Sequence, residues 1–312
     1  CDLLVHVDLQ SEKPRLHGVV GMRLLSILRS IKQLPALKDA GIDGIVFGVE
    51  GFSYRTPLYD LRQIQEIVDQ AKSLGVSTYL QCNRMLDEEE IHSALDLIRL
   101  IDALNVDGIL FQDLAYVTLC EQASADLLRI YSPEAMLTNS LEVRTMLENG
   151  VDQVMVAKEL TLDEVLKIAN ENPGKVGVFG FGHLPMSVSR RPLVKNYLDE
   201  IKKDRSLANG FGLRLQEEKR AFLYPILEER KETTIFQDRL FCVLPELTKL
   251  QANDAAFVLA DDVFVEEEML TSFVHSARDV MAQREDDFME RYAHRLTTGY
   301  FYKKTNLTKD GN

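Results

Sequence analysis

The sequence predicts an α/β fold, a (β/α)8 TIM-like barrel with a β-rich insertion after strand seven. One observation is a recurring phrase: a helix ends at Gly or Asn, an acidic or small residue follows, and a short apolar strand begins. It occurs at Ala40–Gly48, Leu74–Cys82, Leu104–Asp113 and Asn149–Glu159. Gly or Asn just after a helix takes the left-handed conformation that ends it. The unbroken apolar run that follows suits a parallel strand covered on both faces. A second observation is spacing: the Gly and Asn landmarks lie 34, 30 and 45 residues apart, and the longest gap has room for one more strand. The third is length, because 312 residues fit a barrel with insertions.

In chain order, Leu3–Leu9 is the expected first strand and Gly44–Val49 the second. Val76–Gln81, Gly108–Phe111, Leu127–Tyr131, Gln153–Val156, Val176–Phe181 and Ala256–Leu259 follow as strands three to eight. Leu61–Ser73 and Glu88–Leu104 place apolar residues at three- and four-residue spacing, the pattern of an amphipathic helix. An open doubly wound sheet is the alternative. It wants a glycine-rich phosphate turn after the first strand, and Gln10–Gly18 offers none. The segment 198–250 breaks the strand–helix rhythm, and the alternation in Leu213–Leu215 and Phe222–Leu227 predicts a β-rich excursion there. Thr297–Lys304 is expected as a last strand or extended segment within a C-terminal extension at about 285–312, the whole forming one barrel-type domain.

Apolar residues make up 46% of the chain and charged residues 27%, a balance that excludes wholesale disorder. No run approaches the roughly 18–20 apolar residues that cross a bilayer. The chain opens on Cys1 with no signal-peptide pattern, so the cytoplasm is the expected compartment. Cys1, Cys82, Cys120 and Cys242 lie far apart, which predicts isolated reduced thiols rather than a zinc knuckle or a disulfide framework. The net charge of −13 argues against a surface that grips nucleic acid everywhere. From His183 to Lys231, however, eleven Lys and Arg face seven Asp and Glu, a local +4 that leaves −17 for the rest. That segment reads either as a solvated insertion or as a phosphate-binding surface.

Site residues of such a barrel belong just after each strand. Those positions hold Glu50, Arg55, Asn83, Arg84, Asp113, Thr138, Asn139, Lys158, Glu159, His183, Asp261 and Asp262. Asp113, Glu159 and His183 are the candidate acid–base groups. Arg55, Asn83, Asn139, Lys158, Arg190, Arg191 and Tyr224 are the candidate substrate- or anion-binding groups. The stretch Val176–Tyr197 is the densest: a buried strand expected to run into a loop bearing His183, Ser187, Ser189, Arg190 and Arg191, braced by Pro185 and Pro192. No HExxH helix, GxSxG elbow, phosphate loop or dinucleotide fingerprint is present.

An ordered series of segments resembles one known family. It runs through Gly48–Arg55, Asn83, Asp113, Thr138–Ser140, Ala157–Leu160, Gly180–Leu193, Tyr224–Glu229 and Leu240–Leu247. The chain is similar to the collagenase-like peptidases, unclassified peptidase family thirty-two, and above all to their short Gram-positive form. The resemblance implies a barrel-like catalytic region and three readings of function. One is a tRNA-modification factor supporting 5-hydroxylation of the wobble uridine beside a longer, cysteine-bearing homologue. The others are a peptidase or collagenase-like hydrolase using His183, Asp113 and Glu159, and a non-catalytic partner subunit. Under the first, the basic segment meets tRNA, with Phe211, Phe222 and Tyr224 as candidate stacking aromatics, although core residues are the favoured reading of all three. Many relatives hold an iron–sulfur cluster on four cysteines. Here the two signature positions fall on Pro185 and Pro192, the third near Asn209 lacks a thiol, and Cys242 alone matches. No cluster, and no other cofactor or metal, is therefore expected.

Overall fold

Eight short parallel strands close on themselves with helices packed around them. The computed structural model describes residues 21–208, 212–218, 222–229 and 232–303. The staves are β1 (Arg23–Ile27), β2 (Gly44–Val49), β4 (Ser77–Cys82), β5 (Gly108–Phe111), β6 (Leu128–Tyr131), β7 (Gln153–Met155), β8 (Val176–Ser189) and β12 (Phe257–Ala260). A two-residue strand β3 (Leu58–Tyr59) sits beside β2. Closure comes from β12, which pairs in parallel with both β8 and β1. The predicted barrel is therefore the fold.

Helices α1 (Leu34–Ala40), α2 (Leu61–Leu74), α3 (Ile91–Ala103), α4 (Ala115–Ala123), α5 (Ser140–Glu148) and α6 (Leu162–Glu171) return the chain between the first seven staves. In α2, Asp60 and Gln63 form a reciprocal capping box at 2.9 Å in each direction, satisfying two orphan N–H groups. Gly75, at φ 64°, ends the helix. Ile64, Ile67, Val68 and Ala71 form its buried stripe, and each fully buried Ile or Val contributes roughly 1.5–3 kcal/mol. The helix expected over Glu88–Leu104 opens with a 3-10 turn at Glu88–Glu90 before α3 begins.

Inside the barrel, Leu25, Val46, Tyr79, Leu110, Ile130, Met155, Phe257 and Leu259 form a separate core. Its floor is crowded. The ring of Phe257 occupies the space over Gly177, where an added Cβ would lie 2.1 Å from the ring. Arg23 plugs this end. Its guanidinium lies 5.7 and 5.9 Å from the ring centroids of Tyr79 and Phe257, and donates to the Tyr79 hydroxyl and to Gln153 Oε1 at 2.5 Å.

Two expectations are corrected. Leu3–Leu9 lies outside the described residues, and the first place in the barrel is taken by Arg23–Ile27. The expected loop after Phe181 is strand: β8 continues to Ser189, pairing antiparallel with β11 (Glu232–Cys242). Pro185, which has no N–H to give, stands opposite Phe236 where the register shifts, as proline in a ladder requires. Between the seventh and eighth staves the chain runs through helix α7 (Leu193–Glu200), β9 (Arg214–Gln216), β10 (Leu223–Glu229) and β11 before it returns to helix at α8 (Leu247–Ala252).

Helix α9 (Glu267–Met281) follows β12, and α10 (Phe288–Arg291) leads to β13 (Leu296–Thr297), which pairs with β11. The expected terminal strand at Thr297–Lys304 is therefore mostly turn, with Lys304 outside the described residues. Among the described residues, no helix is long and apolar enough to cross a membrane.

Candidate functional site

The loop after β2 folds back over the barrel mouth and is tied down from β4. Ser53 Oγ accepts from Val49 N–H at 2.9 Å and donates to the Gln81 carbonyl. Asn83 grips Tyr54 twice, accepting from its N–H at 2.8 Å and donating to its carbonyl at 3.0 Å. Arg84 donates to the Gly51 carbonyl and pairs with Glu90 at 2.5 Å. So braced, the loop holds Arg55 at φ 60°, a left-handed conformation that a long side chain adopts only under constraint.

Arg55 is the centre of a charge cluster built from distant segments. Its guanidinium pairs with Glu134, beyond β6, and its Nε lies 3.9 Å from Glu232 Oε1 in the β10–β11 hairpin. Its backbone N–H donates to Glu229 Oε2 at 2.7 Å, so the hairpin tip is pinned to the mouth. Lys158, beyond β7, reaches Glu134 Oε2 at 3.2 Å and lies 5.7 Å from the Phe179 ring centroid. Across the mouth, Arg29 Nε pairs with Asp262 at 2.6 Å, and its Nη2 stands 3.9 Å from Asp261.

Burial divides these carboxylates into two kinds. Although burial opposes its charge, Arg55 and Lys158 hold the Glu134 carboxyl well below the usual range. Burial wins at Glu232 and Asp261, whose carboxyls are raised despite Arg55 and, for Asp261, Arg29. Asp262 is pushed up to about 7 by burial, with Asp261 adding to the rise and Arg29 opposing it. The mouth therefore presents fixed cations beside carboxyls that retain protons more readily than free ones. Buried Arg55 Nε, Thr56 Oγ1 and Gln81 Oε1 have no hydrogen-bond partner among the described residues.

The Asp262 shift carries a sign. Below about pH 4, near the ordinary aspartate value, folded and unfolded forms both hold the proton. As pH rises toward about 7 the unfolded chain releases it first, so this group's contribution to stability falls through that window. Thermal unfolding of Asp262→Asn between pH 4 and 8 will show a shallower decline than the parent. Equal slopes would contradict the assignment.

The structure brings only part of the sequence-predicted set together. Arg55 and Lys158 meet through Glu134. Asn83 is the loop brace described above. Asp113 accepts from the N–H groups of Leu86 and Ala115, both at 2.9 Å. Asn139 caps α5, accepting from Leu141 and Glu142 N–H. Glu159 is exposed. His183 lies on β8, where Nδ1 meets the Gln237 carbonyl at 2.7 Å, and shares no partner with Asp113 or Glu159. At the β8 tip, Arg190 reaches Asp87 at 3.3 Å and the Arg191 carbonyl accepts from Thr233. Tyr224 is buried, whereas Phe222 is 48% exposed; Phe211 lies outside the described residues.

The residues do not fit an iron–sulfur cluster. Cys242 is core, 1% exposed, with its thiol pushed up to about 12 by burial, and Pro185 and Pro192 carry no ligand atom. Asn209, at the third position, lies outside the described residues. Cluster iron needs thiolates, and one inert thiol does not supply them. Cys82 and Cys120 are also buried and free, and no group of three or more His, Cys, Asp or Glu suited to a metal occurs among the described residues.

Fold and mouth together define a TIM-like barrel whose loops carry a charged cluster and whose seventh strand extends into a β-lobe. The chain belongs to peptidase family U32, whose sequence profile matches residues 29–310. It is 23% identical over 307 residues to tRNA hydroxylation protein P2 of Bacillus subtilis, covering 90% of this chain and 98% of that protein. It is 22% identical to tRNA hydroxylation protein P1 of the same organism, over 56% of this chain and 42% of that one. The collagenase of Porphyromonas gingivalis is likewise 22% identical, over 55% and 44%. The chain thus spans less than half the length of the latter two. A solved U32 peptidase superposes over 80% of this chain and 96% of its own at 17% identity, with a TM-score of 0.48.

Proposed function

We propose that this chain is a factor in tRNA modification, supporting 5-hydroxylation of the wobble uridine together with a longer, cysteine-bearing homologue. The carrying observation is the end-to-end match to tRNA hydroxylation protein P2, 98% of whose length is covered. The mouth is compatible with it. Arg55 and Lys158 are fixed cations able to hold a small anion or a nucleotide phosphate, and the Asp262 carboxyl, pushed up to about 7, can donate a hydrogen bond as well as accept one. With a single thiol at the family's cluster positions, the chain's own part is binding and orientation.

The peptidase reading has less support. No Ser, Thr or Cys side chain is hydrogen-bonded to a histidine among the described residues, and His183, Asp113 and Glu159 serve separate segments.

Deleting the gene and measuring 5-hydroxyuridine at the wobble position by mass spectrometry tests the proposal. Loss of the modification, restored by the parent gene, is expected. Unchanged levels would overturn it.

A further inference from the structure

One cavity shares no lining residue with the mouth cluster. Beside β8 and the β-lobe is a cavity of about 450 Å³, bordered by His183, Arg214, Phe222, Arg239, Phe264 and Arg295. That volume admits one nucleotide. Two aromatic rings line it, Phe222 being about half exposed. Phe264 is held at φ 62°, a strained conformation for a bulky residue, with the Arg214 guanidinium 5.0 Å from its ring centroid and the His183 ring edge-on at 6.2 Å. Its other neighbour is the Phe236 ring, edge-on at 5.5 Å, within a small cluster that includes Leu227 and Val263.

The polar groups are equally specific. His183 Nδ1 lies 2.7 Å from the Gln237 carbonyl, which can only accept, so Nδ1 carries the proton and Nε2 is the acceptor left for a ligand. Burial, with Arg214 and Arg295 nearby, lowers the His183 pKa and keeps the ring neutral. Arg295 is paired with Glu266 at 2.8 Å, and Asp238 is a further acidic neighbour. Three guanidinium groups still outnumber two carboxylates around the cavity. A neutral acceptor, aromatic faces and surplus cation are the complement of a base with an N–H edge and an attached phosphate.

We propose that this pocket binds a single unpaired uridine nucleotide of an RNA strand. The base lies against Phe222 and Phe264, its N3–H donates to His183 Nε2, and the phosphates meet Arg239 and Arg214. The choice of uridine among bases with an N–H edge, and of an RNA strand over a free nucleotide, rests on the tRNA reading above.

Fluorescence anisotropy with a labelled uridine heptamer tests this, using the full chain. Phe222→Ala and Arg239→Ala change exposed side chains, and each is expected to weaken binding about tenfold. A heptamer of 3-methyluridine, which has no N3–H, will bind about tenfold more weakly to the parent protein. His183→Phe keeps a ring but removes the acceptor, and it will bind the two heptamers equally. Equal binding of both heptamers by the parent, or binding indifferent to Phe222→Ala and Arg239→Ala, overturns the pocket. Uridine monophosphate binding as tightly as the heptamer overturns the RNA strand. Binding as described with unchanged cellular 5-hydroxyuridine sinks the modification role and leaves the pocket standing.

Discussion

Arg55→Met will lower the stability of the fold by about 2–3 kcal/mol. The substitution preserves side-chain bulk but deletes the charge to which Glu134 and Glu232 turn. Breaking a buried ion pair by removing one partner costs about 3–5 kcal/mol, because the other charge is left behind. The lower figure applies here because Glu134 is 29% exposed and keeps Lys158 at 3.2 Å. Urea unfolding measures the loss. The double variant Arg55→Met/Glu134→Gln should cost less than the two single changes summed, since neither charge is then stranded. Additive costs would mean that the pair is not coupled. The pH profile adds a signed check. Glu134 contributes stability above the ordinary glutamate range that acidification removes, and this acid-induced loss will be smaller in Arg55→Met.

Gly177→Ala is expected to be still more damaging at the other end of the barrel. A methyl group at Gly177 would lie 2.1 Å from the Phe257 ring, which is fully buried and packed against Arg23. Overpacking a closed core costs roughly 1–3 kcal/mol, and more where nothing can yield. Here the neighbour is a ring held from above by the barrel core and from below by a guanidinium, so about 3 kcal/mol or outright failure to fold is expected. Phe257→Leu should rescue much of the loss in the double variant, because it vacates the contested volume. A Gly177→Ala protein with parental stability would show that the floor of the barrel yields easily.

The barrel was legible where local rules and tertiary demands agreed. Gly44–Val49 and Gly108–Phe111 are apolar runs preceded by a helix stop, and both occur with the predicted boundaries. Arg23–Ile27 escaped notice because its arginine and serine interrupt a short run. Only the barrel interior, where Arg23 finds Tyr79 and Gln153, gives that arginine a reason to be in a strand. The second half of β8 was hidden for a related cause: Pro185 and several polar residues look like loop until β11, some 50 residues on, supplies the ladder.

The mouth shows the same limit. Arg55 and Lys158 follow strands and were readable from position alone. Glu134 also follows a strand and could have been found by that rule. Glu232 could not, since it arrives on a hairpin whose placement no local pattern states. Asn83, Asp113 and Asn139 show the converse. They stand where ligands belong, yet their side chains hold backbone N–H groups in place.

The continuity of β8 has a mechanical meaning. Its first residues are a stave between β7 and β12, and its last residues are a rail carrying β11. One strand therefore belongs to two bodies, and it changes role at Gly180–Gly182, where the pairing with β12 shifts register and Gly182 stands at φ 130°. The strand that lines the barrel thus also sets where the lobe sits, and the bond from Arg55 N–H to Glu229 ties the hairpin tip back to the mouth. Anything seated on the lobe, a polynucleotide or a neighbouring subunit, touches a body joined to the barrel at a stave and at a mouth loop together.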